Sequence, residues 1–138
     1  MIINGLLDEC ERTIAAYTAT IPLFRGHLHE SMKQFLNQDL DHAGELYRLI
    51  KQAGGDANKP QPSYNLGQPK GPKDLIELLH RLEAGMVSRY YAAIPQLSPG
   101  TVRAAIASIL ASDAQHVTVL RLALRLDPLP MAFVTGAA

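Results

Sequence analysis

Two short patterns in this sequence place carboxylates and imidazoles at a spacing that can do chemistry. Asp39-Leu-Asp-His42 and Asp113-Ala-Gln-His116 each set an Asp three residues before a His, and on a helix that spacing puts both side chains on one face. Both pairs occupy positions where the surrounding apolar rhythm calls for Leu or Ile, so they point into a core. Burying an unpaired carboxylate costs several kcal/mol, so the sequence must supply hydrogen bonds, a carboxyl proton or a cation. Glu11 and Glu83 stand beside the apolar seams of two further segments and extend the set to four carboxylates and two imidazoles. An oxygen-rich group with two nitrogen donors suits Fe, Mn or a similar divalent ion.

The elements that must position these residues follow from apolar spacings of three and four. One seam runs Ile3, Leu7, Cys10, Ile14, Tyr17, Ile21 and stops at Pro22, which cannot continue a helix without losing a backbone hydrogen bond. A second runs Leu28, Met32, Phe35, Asp39, His42, Leu46, Leu49 until Ala53-Gly54-Gly55 supplies a C-terminal cap. A third runs Leu75, Leu79, Leu82, Met86, Tyr90, Ala93 and ends near Pro95. The fourth opens with Ser98 as N-cap and Pro99 at the first helical position, and continues through Val102, Ile106, Ile109, Asp113, His116, Leu120 and Ala123. The spacing predicts helices over about 2–21, 27–53, 73–95 and 99–126. Between the second and third lies a Gly-, Pro- and Asn-rich stretch, 54–72, too long for a tight turn. It reads as one crossover travelling the length of a bundle, roughly 30 Å for a helix of about 20 residues. The expected architecture is all-α: an antiparallel four-helix bundle in a single domain, 1–138, ending in an extended tail over 127–138.

The two halves repeat. Tyr17 answers to Tyr90, Ile21-Pro22 to Ile94-Pro95, and each Asp-x-x-His is followed four residues later by Leu46 or Leu120. Leu7, Glu11 and Ile14 likewise match Leu79, Glu83 and Met86. A duplicated helix pair explains the pattern.

From Leu6 to about Leu126 the chain resembles the ferritin-like superfamily, in helix order, long crossover, repeat and ligand pattern. In that superfamily two metal ions are held by one Glu from each of two helices and a Glu-x-x-His from each of the others. The resemblance implies Glu11 and Glu83 as terminal ligands, Asp39 and Asp113 in the bridging positions, and His42 and His116 capping one metal each. The ending Pro130-Met-Ala-Phe-Val-Thr-Gly136 also looks like the tail of small bacterial ferritin-like domains. The departure is Asp where the superfamily has Glu, which draws each bridging carboxylate back by roughly 1.5 Å. Either the backbones approach more closely, or one metal replaces two, or the site no longer binds metal. With iron, ferroxidase or peroxide chemistry is what the resemblance implies. The rival expectation is a metal-free ferritin-like bundle that serves as a binding or interaction module, with the Asp and His residues in a buried hydrogen-bonded network.

Composition narrows the remaining classes. Lys and Arg number 13 against 13 Asp and Glu, which gives no basic footprint for nucleic acid. No apolar run approaches the 18 or so residues of a membrane span, and no secretory signal opens the chain, so the expected location is cytoplasmic. Cys10 is the single cysteine and forms no internal disulfide. Leu36, Val87 and Val117 are read as exposed apolar positions through which a homodimer would form. His80 reads as an amphipathic surface histidine, and His27, His29 and Glu30 as solvated turn residues. Tyr17, Tyr47, Tyr90 and Tyr91 read as packing residues. The proline-interrupted tail and the short first and third helices argue against a storage cage.

Overall fold

The computed structural model describes residues 1–137, and every regular element among them is helical. α1 spans Ile2–Thr20, α2 Gly26–Gln52, α3 Pro72–Ala93 and α4 Gly100–Ala123, with 3-10 turns at Ile21–Leu23 and Ile94–Gln96. No helix is long and apolar enough to cross a membrane among the described residues. The chain divides into two compact units, Met1–Leu75 and Ile76 onward.

In the first unit α1 and α2 pack against each other through Leu6, Leu7, Cys10, Tyr17, Met32, Phe35, Leu46 and Ile50, all buried. The Tyr17 and Phe35 rings meet edge-on with centroids 6.3 Å apart, the arrangement the ring quadrupoles favour. α2 ends in a glycine-stopped turn: the Gly55 N–H donates to the Ile50 carbonyl and the Gly54 N–H to that of Lys51, with Gly54 at φ +79°. The crossover then follows the surface of α1. The Asp56 carbonyl accepts from Asn4 Nδ2 at 2.9 Å, the Asn58 N–H donates to Asn4 Oδ1 at 2.8 Å, and Asn58 Nδ2 donates to both Asp8 oxygens. Further along, the Arg12 guanidinium lies 5.8 Å from the centre of the Tyr64 ring. Side chains of α1 thus satisfy backbone groups that a structureless segment leaves without helical partners.

The second unit is built on α3 and α4, with Leu79, Met86, Val87, Tyr90, Ile106 and Leu120 in its core. The repeat is visible residue by residue. Tyr17 and Tyr90 are both fully buried, and Ile21-Pro22 and Ile94-Pro95 each open a 3-10 turn. α4 ends on the same capping turn as α2, the Leu126 N–H donating to the Arg121 carbonyl and the Arg125 N–H to that of Leu122. Here Arg125 takes the left-handed conformation, φ +60°, that Gly54 takes in α2. The tail after α4 is irregular. Arg121 Nε donates to the Asp127 carbonyl at 2.5 Å, and the tail turns back so that Gly136, at φ +78°, seats against Ala84 and Ser88 of α3.

Two sequence expectations need correction. Ser98 makes no cap: α4 begins at Gly100, and Pro99, with an extended ψ of −175°, is itself the N-cap whose carbonyl accepts from Val102 and Arg103. An N-cap residue is non-helical, so a proline in that conformation starts the helix one position later. Val87 is fully buried and Leu36 and Val117 are half-buried, because the helix face that carries Val87 packs inside the second unit. None of the three is an exposed apolar position.

Candidate metal centre

In the second unit α3 supplies Glu83 and α4 supplies Asp113 and His116, one helical turn apart. All three are buried, with relative exposures of 0%, 2% and 1%. His116 Nδ1 lies 2.9 Å from Glu83 Oε1 and 3.7 Å from Asp113 Oδ1. Each of the three offers one ligand atom, and these atoms lie within 4.8 Å of one another. With both carboxylates ionised the Nδ1–H donates to Glu83. The three groups then sum to −1 even with the imidazole protonated, and two carboxylates at such a distance repel by about 3.5 kcal/mol at an effective dielectric constant of 20. A carboxyl proton or a bound cation would relieve that charge.

In the first unit Asp39 and His42 lie one turn apart on α2, with His42 Nδ1 3.4 Å from Asp39 Oδ1. Asp39 is buried, whereas the His42 side chain keeps 12% of its surface exposed. Cys10 Sγ donates to the Asp39 carbonyl at 3.5 Å, which ties α1 to α2 at this level. Glu11, expected to resemble Glu83, does not: it is half-buried on α1 and lines a cavity that opens under the crossover. Burial pushes its carboxyl above the usual range, as loss of water disfavours the charged form.

Elsewhere, His80 is half-buried, and its imidazole is held below the ordinary value by burial and then by the Arg121 charge. His29 Nδ1 and Glu30 pair at 3.2 Å in the open, and His27 is exposed. Tyr47 and Tyr91 are more than half exposed, against the packing expected of them. What sequence reasoning missed is the seat of Gly136, whose only signal was a glycine near the end of a proline-broken tail.

Residues 12–126 match the family described as the ferritin-like domain. The chain belongs to this family. The matched stretch contains Asp39, His42, Glu83, Asp113 and His116 and begins one residue beyond Glu11. Among solved structures, the ferritin-like chain is similar to a conserved hypothetical protein from Mycobacterium tuberculosis. The TM-score is 0.85 at 18% identity, over 89% of this chain and 94% of that one, a likeness of fold. Among curated proteins none matches the sequence.

Proposed function

We propose that this ferritin-like protein binds a divalent metal ion, Fe or Mn, through its buried carboxylates and histidines. The observation that carries the reading is the Glu83, Asp113 and His116 cluster: three potential ligand atoms within 4.8 Å of one another in a buried, net negative setting. The donor set fits such an ion, hard oxygens with an imidazole. In the full proposal Asp39, His42 and Glu11 join these three as ligands to one or two ions, as the family arrangement has it.

The residues would divide the work. Glu83 and Asp113 supply negative charge that no solvent screens. His116 holds a proton at Nδ1 that must leave if that nitrogen is to become a ligand, so loading releases protons and weakens as pH falls. Leu79, Met86 and Leu120 exclude bulk water from their surroundings. A bound iron or manganese would supply redox and Lewis-acid chemistry, and oxidative metal handling of the ferroxidase or peroxide kind is the activity that this reading extends to.

The test is metal content together with loading. Protein purified without chelator and assayed for Fe, Mn and Zn is expected to hold one or two equivalents, or to take them up from anaerobic Fe(II). No uptake under either condition overturns the reading in favour of a metal-free interaction module, for which the direct His116 to Glu83 contact would be a structural hydrogen bond. His116→Leu separates the two further, abolishing uptake under the first reading and changing only stability under the second.

A further inference from the structure

We propose that the cavity between the C-terminal tail and the helices of the second unit is a binding site for a small amphipathic monocarboxylate, with its alkyl chain among the apolar side chains and its carboxylate on Arg121. Its occupancy requires no bound metal.

The tail is a strap fastened at both ends. At one, Arg121 Nε donates to the Asp127 carbonyl at 2.5 Å. At the other, Gly136 seats so closely on α3 that a Cβ on it would overlap the Ala84 carbonyl and come within 2.6 Å of the Ser88 nitrogen. Between the two fastenings the chain borders a cavity of about 80 Å³. Val87, Ala114 and Val117 line it from the helices, and Leu129, Met131 and Phe133 from the tail.

The tail side is left unfinished. Leu129 and Phe133 keep 76% and 80% of their surface in solvent and Met131 keeps 54%, although all three line the cavity. An exposed apolar cluster of this kind marks a contact surface, and an occupant that reaches it takes that surface out of water.

The polar groups select the occupant. Arg121 is the one charged residue that lines the cavity among the described residues, and Thr118 and Thr135 add hydroxyls. The field of the guanidinium reaches α3, where burial and then the Arg121 charge hold the His80 imidazole below its ordinary value. A wholly apolar occupant would strip water from the guanidinium and return nothing, and a cation would be repelled. A carboxylate replaces that water with charge-assisted hydrogen bonds in the forked geometry that arginine offers. Volume limits the chain. At about 30 Å³ for a group the size of a water, the cavity takes two or three carbons, and further carbons meet the exposed Leu129, Met131 and Phe133.

The test uses full-length, metal-free protein with hexanoate as the probe, followed by isothermal titration calorimetry and by the NMR signal of the Met131 methyl group. Hexanoate is expected to bind one per chain and to move the Met131 signal while that of Met32, buried in the first unit, stays fixed. Butanoate should bind about tenfold more weakly, the loss of two methylenes at about threefold each. Hexanol should also bind at least about tenfold more weakly than hexanoate, and Arg121→Gln should remove that preference. Ala114→Leu and Thr118→Leu, each of which fills the cavity from α4, should abolish binding of hexanoate and hexanol alike. No saturable binding of hexanoate by the wild type overturns the proposal, and so does equal binding of hexanoate and hexanol or unchanged hexanoate affinity in Arg121→Gln. Self-association, or binding to phosphatidylglycerol vesicles, in a protein that takes up no hexanoate would overturn it in favour of a second copy or a membrane surface over the tail.

Discussion

The sharpest consequence of the broken repeat is that the two histidines of the Asp-x-x-His pairs are not worth the same. His116 has 1% of its side chain exposed and faces Glu83 at 2.9 Å and Asp113 at 3.7 Å. At an effective dielectric constant of 20 those contacts represent gross Coulomb terms of about 6 and about 4 kcal/mol. Most of this is offset by desolvation, but removing one member of a buried ionic group leaves the others uncompensated and costs about 3–5 kcal/mol. His42 lies 3.4 Å from Asp39 Oδ1 with 12% of its side chain in solvent, so water still reaches it and its loss should cost about 1–2 kcal/mol, nearer an ordinary charge-assisted hydrogen bond. His116→Leu and His42→Leu are compared in metal-free protein at pH 7 by urea unfolding followed by circular dichroism. The expected gap is about 1–4 kcal/mol, and in thermal unfolding near 3 °C of midpoint per kcal/mol for a chain of this size. Equal losses, or a His116→Leu protein as stable as wild type, would refute the argument that Glu83 and Asp113 depend on this imidazole.

Three further outcomes follow from particular positions. Arg125→Gly should stabilise the protein by about 1 kcal/mol in thermal or urea unfolding, because φ +60° is strained for arginine and free for glycine. Gly136→Ala should cost about 1–3 kcal/mol and expose the tail to limited proteolysis, since its Cβ meets the α3 backbone and its φ is +78°. His80 has its folded pKa below the unfolded 6.5, so the unfolded chain binds the proton first. Its contribution is intact above pH 6.5 and is lost as pH falls below that value toward the folded pKa. His80→Gln should flatten that part of the stability profile relative to wild type.

The sequence by itself determined the helices and the identity of the chemical groups. Seams at spacings of three and four, stops at Pro22 and Gly54-Gly55, and polar residues at core positions are local properties of the chain, and side-chain burial enforces them wherever the helices pack. It also disclosed the repeat, because Ile21-Pro22 and Ile94-Pro95 make the same turn for the same reason, a proline that ends the α-helical ladder. The inequivalence of the two halves could not be read there. Glu11 and Glu83 have the same neighbours in their seams, yet one lines an open groove and the other is sealed, and Val87 reads as surface until its unit is packed. The irregular segments differ as well, the crossover fastened to Asn4 and Asp8 and the tail seated by Gly136 on α3. Contacts of that kind join residues remote in sequence and carry no periodicity, so only the tertiary structure decides them.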